Sequence, residues 1–220
     1  MTGKRPIDFK LYLITDGKLV THYSLLITAV EGALKAGVRA VQLREKDVST
    51  RELLDMAYRM RELTARYSAK LIINDRADIA LCANADGVHL GQASMPAFAV
   101  RKVIGSGLII GVSTHNLEEA SIAEKEGADF ITFGPVFHTP SKAGYGAPVG
   151  MDVFKHIRDK VSIPVFAVGG IKRDNAGAVM GAGAYGIALI SGILGETDSE
   201  HAARQYLKIV NKTNKHIQGD

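Results

Sequence analysis

The stretch VFAVGGIKRDNAGAVMGAGAYGIALISGI, residues 165–193, carries the pattern that decides the fold. Two short apolar runs, 165–170 and 186–193, flank a segment that ends in Gly183-Ala184-Tyr185. Short apolar runs next to glycines are typical of strands that are buried on both faces of a parallel sheet. A glycine just before the second run can close a helix in the left-handed conformation. The stretch therefore predicts a strand–helix–strand unit.

The same pattern repeats along the rest of the chain. Further apolar runs occupy 11–16, 40–46, 71–75, 87–91, 108–114 and 130–136, which gives eight strands in all. They follow one another at about 25 residues, as strand–helix units require. Helix ends before four of these strands are marked by Gly37, Asn84, Gly127 and Gly183.

Eight such units without a Pro/Ser-rich linker predict one α/β domain over residues 1–220, a closed (β/α)8 TIM barrel. In this fold the active site lies at the C-terminal ends of the strands. The alternative is an open doubly wound sheet, which is expected to carry G-x-G-x-x-G after the first strand. Only one glycine, Gly17, stands there, so the barrel is favoured.

Composition narrows the class of protein. The 220 residues are 46% hydrophobic and 23% charged, which is typical of globular proteins and excludes disordered and collagen-like chains. A single cysteine, Cys82, and no apolar leader in residues 1–10 predict a cytoplasmic protein, and no apolar run is long enough to span a membrane. The formal charge of +4 is spread along the chain, which favours a small anionic substrate over nucleic acid. The sequence leaves the oligomeric state open, a homo-oligomer included.

The second predicted strand ends in polar residues, Gln42-Leu43-Arg44-Glu45-Lys46. Side chains alternate across a strand, so Gln42, Arg44 and Lys46 share one face and are expected to bind an anion at the barrel mouth. For Glu45 and Lys46, the alternative is a solvated charge at a strand end. A glutamine and an arginine inside a barrel are harder to explain without a ligand or a buried partner.

Candidate metal ligands follow the third and fourth strands. Asp75 comes directly after Asn74 at the predicted mouth, where a carboxylate could hold Mg²⁺ against a substrate phosphate. The alternative for Asp75 is to cap a helix that begins near Ala77. In the next loop Ser94 precedes Pro96, a pattern that by itself predicts only a helix N-cap.

Two later segments each have two interpretations. His115 follows the fifth strand and could transfer protons, although a lone histidine is more often structural. The loop 134–146 is rich in hydroxyls and glycines, which predicts either a mobile lid over a phosphate or an exposed polar loop.

The last two strands give the strongest indication of a ligand. Gly169 and Gly170 follow the seventh strand and Ser191 lies in the eighth, where barrels bind phosphate through backbone N–H groups and a short helix N-terminus. Because Gly170 and Ser191 lie across the predicted mouth from Arg44, two phosphorylated groups could be held face to face. Neither a Ser-His-Asp order nor zinc-ligand spacing is evident, so the sequence predicts a site that works by positioning and charge.

Together, these motifs resemble the thiamine phosphate synthase family. The resemblance runs from YLITD at 12–16 through QLREK at 42–46, INDRAD at 73–78, DGVHLGQ at 86–92, GVS at 111–113, FGPVF at 133–137, TPSK at 139–142 and GGI at 169–171 to ISGI at 190–193. It implies a (β/α)8 barrel that uses Mg²⁺ to join a hydroxymethylpyrimidine diphosphate to a (carboxy)thiazole phosphate. The implied products are thiamine phosphate and pyrophosphate.

The resemblance also implies a role for each matching residue. It assigns the pyrimidine diphosphate to Gln42, Leu43, Arg44, Glu45, Lys46, Asn74, Ser113 and Lys142. It assigns the thiazole phosphate to Thr139, Pro140, Ser141, Gly169, Gly170, Ile190 and Ser191. Arg44, Lys46 and Lys142 are the implied catalytic residues, because they stabilise charge on the leaving pyrophosphate.

The implied metal ligands are Asp75 and Ser94. Many members of the family carry an aspartate at the position of Ser94, and a hydroxyl is a poorer ligand for Mg²⁺ than a carboxylate. The resemblance therefore implies an active enzyme with weakened metal affinity.

Two alternatives stay open from the sequence. A thiazole tautomerase is built on the same barrel, and His115 would be its candidate proton carrier. A non-catalytic protein that binds thiazole phosphate or thiamine phosphate has only Ser94 in its favour. The complete QLREK and NDR motifs favour the synthase, because a tautomerase has no need for the pyrimidine diphosphate side.

Overall fold

A computed structural model of the chain describes residues 6–19, 22–139 and 147–213. Within these ranges eight parallel strands pair in sequence order, and β1 also pairs with β8, which closes the barrel. The strands are β1 Leu11–Ile14, β2 Ala40–Leu43, β3 Lys70–Asn74, β4 Gly87–Leu90, β5 Ile109–Thr114, β6 Phe130–Phe133, β7 Val165–Val168 and β8 Gly186–Leu189. The predicted (β/α)8 barrel is confirmed.

Helices on the outside connect consecutive strands. They are α1 Tyr23–Ala36, α2 Thr50–Arg66, α3 Ala77–Cys82, α4 Ala97–Ile104, α5 Leu117–Lys125, α6 Gly150–Lys160 and α7 Ala176–Gly181, followed after β8 by α8 Ser191–Leu194 and α9 Ser199–Thr213. A 3-10 turn, Gly17–Leu19, precedes α1. The predicted helix ends at Gly37, Asn84, Gly127 and Gly183 are confirmed, since all four have φ between 48° and 115°. In the part of the chain that the structure describes, no helix is long and apolar enough to cross a membrane.

Most strands end earlier than the apolar runs predict. β2 ends at Leu43 instead of at 46, β6 at Phe133 instead of at 136, and β8 at Leu189 instead of at 193. Strand pairing needs an extended backbone, and the chain leaves that conformation at the strand ends: after β8 it enters α8 within two residues. The prediction that Arg44 and Lys46 lie inside a strand is therefore wrong, because both belong to the loop after β2.

Aromatic side chains fill the lower part of the barrel. The rings of Phe9, Tyr12, Phe130 and Phe166 lie 5.3 to 6.2 Å from one another, and all four side chains are buried. Gly111 on β5 leaves room for this cluster, since a Cβ there would lie 2.4 Å from the Phe130 ring. The cluster closes the barrel from below.

A buried ion pair ties α4 to the strands at the lower end of the barrel. Asp129, just before β6, accepts hydrogen bonds from Arg101 at 2.6 Å and from the Ile110 N–H at 2.8 Å. The side chain of Asp129 is only 7% exposed. The same arrangement recurs between Asp86 and Arg61, whose charged atoms lie 2.6 Å apart. These carboxylates fix helices against the barrel and leave the opposite end for a ligand.

Candidate functional site

A cavity of about 480 Å³ opens at the C-terminal ends of the strands, and we name it the central cavity. It brings together the predicted site residues Gln42, Arg44, Lys46, Asn74, Asp75, Ser94 and Ser113. Although Arg44 and Lys46 follow the end of β2, both still line this cavity. The structure therefore gathers two cationic side chains, Arg44 and Lys46, and two carboxylates, Asp16 and Asp75, at the mouth of the barrel.

A second cavity, of about 530 Å³, lies beside the first, and we name it the side cavity. Its lining includes the predicted residues Thr139, Gly169, Gly170, Ile190 and Ser191. Val168 and Ile190 line both cavities, so the two meet at the rim of the barrel. The two predicted ligand sites are thus neighbours in space.

Three predicted site residues, Pro140, Ser141 and Lys142, lie outside the described residues. The predicted lid, 134–146, is described only as far as Thr139. The alternatives of a mobile lid and an exposed polar loop therefore both remain predictions.

The loops that form the side cavity approach each other closely at Gly170. Its φ is 65°, and a Cβ there would lie 2.6 Å from the carbonyl oxygen of His138. Asn175 Nδ2 donates a hydrogen bond to the Gly170 carbonyl at 3.0 Å, which holds this loop in place. After β8 the chain enters α8, which begins at Ser191. The first N–H groups of a helix have no partner within that helix. Backbone N–H groups in this arrangement attract phosphate oxygens.

The side cavity also contains residues that the sequence analysis missed. Lys172 and Arg173 follow the glycine pair, and Arg173 pairs with Glu196 at 3.5 Å. Tyr206 comes from α9, is 3% exposed, and has its hydroxyl 2.8 Å from where a Cβ on Gly192 would lie. The basic pair could have been found next to the glycines, whereas the position of Tyr206 depends on how α9 packs.

Asp75 is held by hydrogen bonds at the edge of the central cavity. Asn74 Nδ2 donates to Oδ2 at 2.7 Å, the Gly91 N–H donates to Oδ1 at 3.3 Å, and the Ser94 hydroxyl donates to the same Oδ1. Arg76 occupies the cap position of α3, and no side chain caps that helix. The alternative prediction that Asp75 caps this helix is therefore wrong.

Ser94 is bound to Asp75 and does not cap a helix. The cap position of α4 is Pro96, and Ser94 Oγ accepts a hydrogen bond from the Gly91 N–H at 2.7 Å. The predicted N-cap role of Ser94 is wrong, because its hydroxyl instead ties the loop after β4 to the carboxylate of Asp75, the residue after β3. Carboxylate, hydroxyl and amide oxygens are the donors that suit Mg²⁺.

Asp75 and Ser94 do not amount to a cage made by protein alone. Among the described residues, no group of three or more His, Cys, Asp or Glu side chains could hold a metal ion. Mg²⁺ is commonly bound by one or two carboxylates together with waters and substrate phosphates. The position of Asp75 on the central cavity is compatible with that mode.

Glu45 does not line the central cavity. Its Oε1 accepts from the Thr15 hydroxyl at 2.7 Å and its Oε2 accepts from the Gly17 N–H at 2.9 Å. Thr15 Oγ1 in turn accepts from the Arg44 N–H at 2.9 Å. Burial raises the pKa of Glu45, and the two hydrogen bonds oppose that rise. Glu45 therefore links the loop after β1 to the backbone of Arg44. Leu43, another predicted site residue, is buried in the core between strands and helices.

A network of polar side chains lies directly beneath the central cavity. Gln42 Nε2 donates to Tyr12 Oη at 2.9 Å, and Tyr12 Oη lies 3.5 Å from His89 Nδ1. His89 Nε2 lies 3.0 Å from Ser113 Oγ, to which the Thr132 hydroxyl donates at 3.3 Å. The sequence analysis missed Tyr12, His89 and Thr132 as members of the site. Each interrupts an apolar run, but only closure of the barrel shows that they meet.

His115 lines the central cavity and has a partner on α5. Its Nδ1 lies 2.9 Å from Glu119 Oε2, and its backbone N–H donates to the same oxygen at 2.8 Å. The position is compatible with contact to a ligand, and the pairing is compatible with a structural role.

The chain is similar to known proteins of one family. The chain matches the family model for thiamine monophosphate synthase over residues 11–193. A Geobacter sulfurreducens protein is 54% identical over 204 residues, which are 93% of this chain and 95% of its own length. The thiamine-phosphate synthase of Clostridium novyi is 45% identical over 203 residues, which are 92% of this chain and 99% of that protein. The solved structure of thiamine phosphate pyrophosphorylase from Pyrococcus furiosus is similar with a TM-score of 0.85 and 40% identity, covering 93% of this chain and 96% of that one.

Proposed function

Because the chain belongs to the thiamine monophosphate synthase family, it is a transferase that forms thiamine phosphate, and we propose that its two cavities hold two phosphorylated substrates. The proposed substrates are 4-amino-2-methyl-5-(diphosphooxymethyl)pyrimidine in the central cavity and a (carboxy)thiazole phosphate in the side cavity. The observation that supports this arrangement is the shared wall of Val168 and Ile190, where the reacting groups would meet. Pyrophosphate is the second product.

The central cavity supplies positive charge for the diphosphate. Arg44 and Lys46 line it, and Asn74 lies beside them at the end of β3. Negative charge builds up on the pyrophosphate as its bond to the pyrimidine carbon breaks, and fixed cations stabilise that charge. Lys142 is the third cation in this proposal, on the strength of the TPSK motif alone.

Mg²⁺ is the proposed cofactor, with Asp75 and Ser94 as its protein ligands. Their oxygens are close enough to form a hydrogen bond, so both can reach one cation. When bound, the cation would neutralise diphosphate oxygens and so assist departure of the pyrophosphate. The hydrogen bond from Asn74 to Oδ2 holds the Asp75 carboxylate in one orientation for this purpose.

The proposed reaction is a dissociative displacement. The C–O bond to the pyrophosphate breaks first and leaves a pyrimidine cation, and the thiazole nitrogen then donates its electron pair to form the new C–N bond. Gly170 and Ser191 would hold the thiazole through its phosphate, which orients the nitrogen toward the cation. No general base is required for this bond formation.

The names of the relatives support the synthase over the two alternatives that the sequence left open. His115, which a tautomerase would use, has no step in this proposal. We also propose a cytoplasmic location, because the one cysteine, Cys82, cannot form an intramolecular disulfide.

The test of this proposal is turnover by the purified chain with Mg²⁺ and both substrates. We expect pyrophosphate and thiamine phosphate to form in equal amounts over many turnovers. Arg44→Ala should lower turnover by orders of magnitude, whereas Arg59→Ala, an exposed arginine on α2, should leave it unchanged. No thiamine phosphate at saturating Mg²⁺ and substrates would refute the proposal, and an isomerised thiazole phosphate in its place would identify a tautomerase.

A further inference from the structure

In the polar network beneath the central cavity, the positions of the atoms limit which group donates and which accepts each hydrogen bond. Tyr12, Gln42 and His89 are at most 2% exposed, and Ser113 at the far end is partly buried. Buried polar groups need partners, so each hydrogen bond in the network limits what the next group can do. A direction can therefore be assigned to each bond, starting from the Gln42 end.

The direction is set at the Gln42 end. Gln42 uses its amide nitrogen to donate to Tyr12 Oη, which leaves its carbonyl oxygen as an acceptor for the cavity. Tyr12 has one proton, and burial raises its pKa so that the hydroxyl keeps that proton. Once Tyr12 has accepted from Gln42, its one proton is assigned to the other neighbour of its oxygen, His89 Nδ1, which lies 3.5 Å away.

The same logic continues through His89. With Nδ1 as an acceptor, a neutral ring would carry its proton on Nε2 and would donate it to Ser113 Oγ, which at 3.0 Å is nearer than Thr132 Oγ1 at 3.5 Å. Ser113 Oγ also accepts from Thr132, so both of its lone pairs are used. The hydroxyl proton of Ser113 is then free to be donated into the central cavity, which Ser113 lines.

The network thus presents one acceptor, on Gln42, and one donor, on Ser113, to the central cavity. A 4-aminopyrimidine presents a donor, its amino group, next to an acceptor, its ring nitrogen. A 4-oxopyrimidine presents the reverse, so that like groups would face each other. We infer that Tyr12 and His89 are positioning residues that make the enzyme select a 4-amino over a 4-oxo pyrimidine diphosphate. This inference rests on the proposed function, because it takes the pyrimidine ring to lie in the central cavity.

The test compares kcat/KM for the 4-amino and 4-oxo pyrimidine diphosphates. In Tyr12→Phe the Gln42 amide loses its partner and can rotate by 180°, which exchanges its oxygen and nitrogen. The ratio of kcat/KM for the 4-amino and 4-oxo substrates should therefore fall roughly tenfold. The change should appear in KM for the pyrimidine diphosphate, with kcat and KM for the thiazole phosphate within about twofold of wild type. A folded Tyr12→Phe variant with the wild-type preference would overturn the inference.

A matched control and a second measurement complete the experiment. Tyr67 donates to Glu31 at 3.0 Å between α1 and α2, so Tyr67→Phe removes a similar bond away from the site and should keep the preference. NMR of the wild-type His89 ring should show the proton on Nε2 at neutral pH, and a proton on Nδ1 would overturn the inference without any variant. Wild-type protein that makes no thiamine phosphate from the 4-amino substrate would overturn the proposed function. The position of the proton on His89 would still show the direction of the hydrogen bonds in the network.

Discussion

Replacing Ser94 by aspartate tests whether a hydroxyl limits the binding of Mg²⁺. Ser94 Oγ is hydrogen-bonded to Asp75 Oδ1, so an aspartate at this position would place a second carboxylate against the first. In the presence of Mg²⁺ the second carboxylate adds a charged oxygen ligand, and in its absence the two carboxylates repel each other. The substitution should therefore have opposite effects with and without metal.

The size of the repulsion follows from the distance between the two positions. Two charges about 4 Å apart interact by about 4 kcal/mol at an effective dielectric constant of 20. Asp75 and Ser94 are both partly exposed, and solvent reduces this to about 1–2 kcal/mol. For a chain of this size we expect the metal-free Tm to fall by about 5 °C. The Mg²⁺ concentration for half-maximal activity should fall about tenfold, which corresponds to about 1.4 kcal/mol.

Two measurements check this prediction. The first is thermal unfolding of wild type, Ser94→Asp and Ser94→Asn in a chelator and at increasing Mg²⁺. The second is the Mg²⁺ dependence of turnover for the same three proteins. Ser94→Asn has nearly the shape of the aspartate without its charge, so it should show neither the metal-free loss of Tm nor the gain in affinity. Equal half-saturation in wild type and Ser94→Asp would refute the idea that Ser94 weakens the metal site.

Three further substitutions test other parts of the site and fold. Lys142→Ala should lower turnover by orders of magnitude with little change in Tm, and unchanged turnover would contradict the role assigned to this cation. Gly170→Ala should destabilise the fold by about 1–3 kcal/mol and raise KM for the thiazole phosphate, because the residue has a positive φ and the new Cβ would clash with backbone atoms. At Gly177 a Cβ would have no atom within 4 Å, so Gly177→Ala should be tolerated. Asp129→Ala should lower the free energy of unfolding by about 3–5 kcal/mol, because it leaves buried partners unpaired. Asp159→Ala removes an exposed carboxylate and should lower it by at most about 1 kcal/mol. Equal losses for the two variants would show that the buried ion pair stabilises the fold no more than the exposed one.

The sequence was sufficient for the barrel because its strands are local and regular. Apolar runs that follow helix ends at residues such as Gly37 and Gly183 repeat along the chain, and eight such units form the closed barrel. Most of the predicted strands extended too far at their C-terminal ends. Apolar side chains continue past the ends of the strands into loops, as at Val136 after β6, and hydrophobicity does not record where a strand ends.

The site could be predicted only where position along a strand decided it. Arg44 follows β2 and Asn74 is the last residue of the neighbouring β3, and the barrel brings the residues at such strand ends together. Which way a loop side chain turns is set by tertiary contacts, so the prediction could not show that Glu45 binds Thr15. The network through His89 needed the closed barrel, because its members lie on strands far apart in the chain.

A structure of the enzyme with thiamine phosphate, pyrophosphate and Mg²⁺ would test the central claim most directly, namely that the two cavities hold the two phosphorylated groups separately. The account predicts pyrophosphate in the central cavity within hydrogen-bonding distance of Arg44 and Lys46. It predicts the phosphate of thiamine phosphate in the side cavity, on the backbone N–H groups at Gly170 and Ser191. Pyrophosphate in the side cavity, or both groups in the central cavity, would contradict it.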